Sequence, residues 1–246
     1  MKIDDGNVVI LALDTSSAEG SAAAIRADGD RTVTIERAGD GSRSHGTRLP
    51  LELMAVLDEA GAAIADVDRL AVVVGPGSFT GLRVGIATIQ GLALARGVTV
   101  VPVTSFEALA WHARPSTGAI ALWVEAHRGE VFATLLAPDA RTVLAPPTAL
   151  APAATLDAWR DLLAPFARVQ FLGDGAVRYE AVIRERLGAQ AGLDVLQAAP
   201  MLAAAAGWIA REAPDRAVHP HALVPMYVRR PDVELTRDRR EAASRG

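Results

Sequence analysis

The sequence predicts an α/β protein built as two similar lobes with a cleft between them. The first observation behind this is the stretch "RLAVVVGPGSFTGLRVGIATIQGLALARG", residues 69–97. There a buried strand (70–74) runs through a glycine-rich turn into a long helix of small residues. The second is a repeat. Each half of the chain carries a strand, an acid-led turn and a second strand, and later a strand, a glycine turn and a helix. Asp14 in the first half answers to Glu125 in the second, and Gly75-Pro76-Gly77 answers to Gly173-Asp174-Gly175. One order of elements met twice is what a duplicated lobe leaves behind.

Composition sets the bounds. A chain of 246 residues can bury a substantial core, and with 50% hydrophobic but only 4% aromatic residues that core is made of Ala, Val, Leu and Ile. A formal charge of −4 argues against binding nucleic acid through the chain's own electrostatics. With no cysteine, disulfides and thiolate catalysis are excluded, and a reducing compartment fits. The opening "MKIDDGNVVILALDTSS" places two acids before a short strand, unlike a secretory signal, and no apolar run reaches membrane-spanning length. The expected location is the cytoplasm.

The elements follow in order. Residues 8–13 read as a buried strand, and 20–25 as its hairpin partner across "DTSSAEG". Residues 31–37, "RTVTIER", alternate polar and apolar as a third, half-exposed strand. The polar loop "AGDGSRSHGT" leads into a helix over 49–60. After the 70–74 strand and the 79–96 helix, "VTVVPV" is a further strand, and 104–113, "TSFEALAWHA", is a capped helix leaving the first lobe.

In the second half, "AIALWVEAHRGEVFATLL" gives two strands about an acid-led turn. "LAPPTALAPAATLDAW" reads as a proline-rich connection into a helix capped by Thr155, and "ARVQFLGDGAVRYEAVIRERLG" as a strand, a Gly-x-Gly turn and a helix. Residues 200–212, "PMLAAAAGWIARE", open on a first-turn proline and read as a tightly packed helix that returns to the first lobe. The tail from Met226 starts as a strand and ends in mixed charge. The expected division is a first lobe over 1–103, a second lobe over 104–228 and a charged tail over 229–246.

A strand, a glycine-rich turn and a helix N-terminus also make a phosphate cradle, because free N–H groups and the helix dipole favour an anion. Duplicated lobes with acid-led hairpins resemble the plan of the actin, hexokinase and sugar-kinase (ASKHA) superfamily. In that superfamily the hairpins hold ATP phosphates and the Asp positions a metal ion. Here Asp14 is followed by Thr15-Ser16-Ser17 with no glycine before Gly20, so the turn is poorly built for close approach to a phosphate. The second hairpin, "EAHRGE", has a single glycine. The expectation is a degenerate nucleotide site, with no catalytic, cofactor-binding or metal-binding residues. The glycines have another use: Gly81 and Gly85, then Ala87, Gly91 and Ala95, recur every four residues and let a helix lie close against a neighbour. No His-Glu-x-x-His pair and no Gly-x-Ser-x-Gly elbow occurs.

The helix over 49–60 is the more informative one. Leu49, Leu53, Val56, Leu57 and Ala60 line one stripe, while Leu51, Met54 and Ala55 add apolar surface on adjacent faces. Two readings stand: a wide core face, or a helix that packs against its own sheet and a partner's helix, a role that suits Met. On the neighbouring helix Arg83, Ala87 and Gln90 share a face at spacings of four and three. The candidate partner interface is therefore Leu49, Leu53, Met54, Leu57, Arg83, Ala87 and Gln90.

These residues resemble those of a known family. "ILALDTSSAEGSAAAI", "SRSHGTRLPLELMAVLDEAG", "VVVGPGSFTGLRVGIATIQGLALA", "VEAHRGEVFATLL" and "PMYVRRPDVE" are similar, in order, to segments of the TsaB (YeaZ) family, over essentially the full chain. The family's second hairpin usually reads Asp-Ala-Arg before Gly-Glu-Val-Tyr, where this chain has Glu125-Ala126-His127 and Phe132. Its catalytic paralogue, TsaD, carries a His-x-x-x-His metal pair that this chain lacks around His45.

The resemblance implies a non-catalytic subunit of the bacterial threonylcarbamoyladenosine tRNA-modification complex. Such a subunit binds TsaD through its N-terminal lobe, recruits the ATPase TsaE, forms a homodimer when alone and meets tRNA only through the complex. ATP and metal are then expected on the partner subunits. The rival is an enzyme, either an ATP-dependent kinase of the actin-like superfamily or a glycopeptidase-like hydrolase. The degenerate hairpins speak against the kinase and the missing metal pair against the peptidase.

Overall fold

A computed structural model describes residues 7–113, 118–188, 193–195 and 199–229. It contains two five-stranded mixed sheets. In the first, β1 (Asn7–Asp14), β2 (Ser21–Asp28) and β3 (Arg31–Ala38) form an antiparallel meander, with Asp14 opposite Ser21 at the mouth of the first turn. β4 (Arg69–Val73) and β5 (Val100–Val103) extend the other side of β1 in parallel, giving the order β3-β2-β1-β4-β5. The second sheet is built from β6 (Ala119–Glu125), β7 (Val131–Leu136), β8 (Val143–Leu150), β9 (Val169–Leu172) and β10 (Leu193–Val195), in the order β10-β9-β6-β7-β8. Matching β6 to β1 and continuing in chain order reproduces the first sheet strand for strand. The repeat seen in sequence is thus a duplicated topology, and the fold is the two-lobed actin-like one.

Successive residues of β1 alternate between two buried faces, which is why the strand reads as a continuous apolar run. Leu11 and Leu13 face outward, where α1 (His45–Glu59) and α2 (Phe79–Arg96) cover them with Leu49, Leu53, Leu57 and Ile89. Ile10 and Ala12 face inward and join a cluster shared by both sheets. On the outer face of the second sheet Trp123 packs edge to face against Phe171 and against Trp159 of α4 (Pro152–Leu163), which lies beside α6 (Glu180–Leu187).

Two helices change sides. α3 (Ser105–Trp111) leaves the first sheet and packs on β6, while α7 (Ala203–Glu212) follows the second sheet and lies on β1, β2 and β4. Gly207 lets α7 approach closely, since a Cβ there would stand 2.8 Å from Ile25 Cδ1. The α3 start was legible: Thr104 and Glu107 form a reciprocal capping box.

Several elements differ from the sequence expectation. α1 begins at His45 rather than Leu49, because Ser44, Thr47, His45 and Arg48 find local and tertiary partners that extend the helix by a turn. α7 begins at Ala203 rather than Pro200: its first amides, Ala203 N and Ala204 N, donate to Ser21 Oγ and Glu36 Oε1 of the first sheet. Thr155 lies inside α4 and donates to Ala151 O, so it is not the cap.

The proline-rich connection holds an edge strand, β8. Pro146 and Pro147 fall between the pairs Ala133–Thr148 and Leu135–Ala145, at a register shift where their missing N–H groups cost no ladder bonds. The helix expected after Gly173 is broken into α5 (Asp174–Arg178) and α6. The segment from Met226 forms no strand among the described residues, although Met226 N donates to Val74 O at 2.7 Å. The rest of that tail, 230–246, lies outside the described residues. No described helix is long and apolar enough to cross a membrane.

Candidate functional site

The cleft between the sheets is the first place to look for chemistry. β1 ends on Asp14, whose Oδ1 accepts from Ser16 N at 2.8 Å. β6 ends on Glu125, whose Oε1 accepts from His127 N at 2.9 Å. The two acids thus close their turns with the same bond two residues on. A cavity of about 320 Å³ opens beside the first turn, lined by Asp14, the 16–20 turn, Leu109, Val124, Gly173, Asp174 and the 199–202 segment.

Electrostatics in this cavity oppose a phosphate. Asp14 is 3% exposed, and burial pushes its carboxyl up to about 6 despite the Ser16 bonds, with Asp174 and Glu36 adding repulsion. Asp174 is likewise raised by burial, although Glu125 N (2.9 Å) and Gly175 N (2.8 Å) donate to it. Two carboxyls, the buried Asp14 and the half-buried Asp174, one from each lobe, line this cavity and disfavour a polyanion that brings no counter-ion.

The α2 cradle is filled by the chain itself. Ser78 N donates to Ser16 O at 2.6 Å, and Ser78 Oγ accepts from Gly81 N at 3.3 Å. A Cβ on Gly77 would stand 2.4 Å from Ser16 O, one on Gly81 2.2 Å from Thr15 O, and one on Gly85 2.1 Å from Thr15 Oγ1. These glycines admit the first hairpin's turn against α2. Gly91, at the same helical spacing, meets nothing within 4 Å and is exposed. Among the described residues no group of three or more His, Asp or Glu side chains could hold a metal ion.

The second candidate site is the outer face of α1 and α2. Of the residues assigned to a partner interface, Leu49, Leu53 and Leu57 are buried in their own lobe's core and present no surface to a partner. They belong to the stripe that meets the sheet. Met54 is 46% exposed, and Leu51, which the candidate interface omitted, is 67% exposed. On α2, Ala87 lies on the surface together with Leu94.

Arg83 and Gln90 are held by their own chain. Arg83 stacks 4.0 Å over the Phe79 ring and donates from Nε to Tyr227 Oη, while Gln90 Nε2 donates to Pro220 O at 3.0 Å. The face the structure offers is therefore Leu51, Met54, Ala87 and Leu94, with Phe79 half-exposed at the end of α2. Leu51 was visible in sequence as extra apolar surface beyond one stripe. Asp174 in the cleft carried no such signal.

Known proteins resemble the chain in sequence and in fold. The family described as "TsaD: tRNA N6-adenosine threonylcarbamoyltransferase" matches residues 39–158. The chain is 27% identical over 238 residues to the tRNA threonylcarbamoyladenosine biosynthesis protein TsaB of Bacillus subtilis, covering 92% of this chain and 96% of that protein. It is 30% identical over 226 residues to an uncharacterized protein of Mycobacterium tuberculosis, covering 92% and 93%. Among solved structures, YeaZ from Pseudomonas aeruginosa superposes with a TM-score of 0.68 at 26% identity, over 89% of this chain and 99% of that one.

Proposed function

Since the chain belongs to the TsaB (YeaZ) family, we propose that it is a non-catalytic subunit that binds and supports a TsaD-type threonylcarbamoyltransferase in forming threonylcarbamoyladenosine next to the anticodon of tRNAs. The observation that carries the non-catalytic part is the bond from Ser78 N to Ser16 O. It packs the first turn, which has no glycine between Asp14 and Gly20, against the head of α2. A kinase reading requires a first turn that lets a phosphate approach the backbone closely, which Thr15-Ser16-Ser17 does not offer. The partner-binding part is supported by the exposed apolar face of α1 and α2, rimmed by charged residues such as Asp58 and Glu59.

In this reading the chain works in the cytoplasm, pairs with itself through the same face when the TsaD-type partner is absent, and recruits a TsaE-type ATPase. It reaches tRNA only through the assembled complex, and ATP and metal reside on the partners. The test is a titration of wild type and Met54→Glu against the TsaD-type partner, with the melting temperature of each recorded. A charge placed in a desolvated apolar contact is expected to weaken binding by about tenfold or more, about 1.4 kcal/mol. Since Met54 is half-exposed in the free chain, melting stays unchanged. An affinity within about twofold of wild type would move the interface elsewhere.

A further inference from the structure

The first turn of α1 holds the cleft turn from behind. Arg48 is 2% exposed, and its Nη1 donates to both Glu52 carboxylate oxygens at 2.7 Å. Its Nη2 reaches the carbonyls of Ala18 (3.3 Å) and Glu19, and stands 2.7 Å from His45 Nδ1. His45 thus braces the guanidinium that holds the turn. Two consecutive positions of the cleft turn, 18 and 19, are gripped by Arg48, with His45 as its support one helical turn before it.

The surroundings are shaped for this grip. A Cβ on Gly39 would lie 1.5 Å from Arg48 Nη1, so the loop before α1 leaves the guanidinium its space. Glu52, the counter-ion, also accepts from Asp40 N at 3.2 Å. Without the grip the turn has few ties: Ser16 N to Asp14, Gly20 N to Ser17 Oγ, Ser78 N to Ser16 O and Gly39 N to Gly20 O, while Ala18 and Glu19 are exposed. The helix that supplies the grip is the one that turns Leu51 and Met54 outward, less than two turns further along.

We propose that His45 and Arg48 are positioning residues that lock the cleft turn to α1, so that a TsaD-type partner seated on the Leu51–Met54 face orders residues 17–20 without touching them. This rests on the reading of α1 as the partner face. Coupling of this kind is reciprocal: whatever orders the turn also favours the helix pose that the partner binds. A buried arginine with fixed acceptors on two segments is the physical link, because moving the turn away from α1 takes its carbonyl acceptors from a guanidinium that water does not reach.

The experiment is amide hydrogen exchange on the full chain, free and bound to the TsaD-type partner, following peptides that cover 15–20 and 45–57. In wild type both peptides are expected to slow, the turn by about fivefold or more. In Arg48→Gln the helix keeps its protection on binding and the turn loses it, a pattern that a loss of general stability does not give. If α1 is protected in wild type while the turn exchanges at its free rate, the coupling is refuted and the partner face stands. If neither segment is protected, the partner-face reading fails and the proposal with it. The wild-type comparison decides even where Arg48→Gln does not fold.

Discussion

Asp14→Asn is expected to stabilise the protein, and to do so only where the carboxyl would be ionised. The substitution keeps Oδ1 as the acceptor for Ser16 N and removes the charge that faces Asp174 and Glu36. Asp14 ionises at its ordinary value of 3.8 in the unfolded chain and at about 6 in the fold. The gap of about 2.2 pH units is worth about 3 kcal/mol. Because the folded value is raised, holding the carboxyl ionised opposes folding. That cost is present in full above pH 6, shrinks as the pH falls toward 3.8, and vanishes below.

The expected gain for Asp14→Asn is therefore about 3 kcal/mol at pH 7.5, roughly half of that at pH 5, and smaller again at pH 4. For a chain of this size each kcal/mol moves the melting temperature by about 2–4 °C, so the variant should melt about 6–12 °C higher at pH 7.5. The assay is thermal unfolding of both proteins across that pH range. A variant less stable than wild type at pH 7.5, or a gain equal at pH 4 and pH 7.5, would refute the account of a charge held against burial.

Two further outcomes follow from the same geometry. Gly85→Ala puts a methyl 2.1 Å from the buried Thr15 Oγ1 and is expected to cost about 1–3 kcal/mol in denaturant unfolding. Gly91→Ala, which meets nothing within 4 Å, should instead gain about 0.5–1 kcal/mol from helix propensity; equal effects at the two sites would contradict the assignment of Gly85 to the hairpin contact. Calorimetry of the isolated chain with Mg-ATP should give no low-micromolar binding, because the first turn has no glycine before Gly20 to bare its backbone donors to a phosphate; a low-micromolar constant would reopen the nucleotide reading.

What was legible in the sequence was the chemistry that repeats. Asp14 and Glu125 each lead a turn and each take a bond from the amide two residues on, so their correspondence could be read before any coordinates. The row Leu49, Leu53, Leu57 was also legible as one face. An i, i+4 row, however, says which residues sit together and not which neighbour they meet, and their own sheet took them.

What escaped was set by distant partners. α1 starts early because Arg48, braced by His45, bonds a turn some thirty residues upstream, and α7 starts late because Ser21 and Glu36 supply its caps. β8 was hidden by Pro146 and Pro147, which propensity alone reads as a linker and which a register shift at a sheet edge accommodates.

The central claim is that the chain supports a partner's catalysis without a catalytic cleft of its own. It is tested most directly by threonylcarbamoyladenosine formation in a reconstituted mixture of TsaD-type, TsaE-type and tRNA components. The chain is omitted, supplied as wild type, or supplied as the double variant Asp14→Asn/Asp174→Asn. The account predicts little product without the chain and undiminished product with the double variant, whose backbone turns and helix face are intact. Loss of product with the double variant, while its affinity for the TsaD-type partner stays at the wild-type value, would show that the cleft carboxyls take part in the chemistry and would contradict the account.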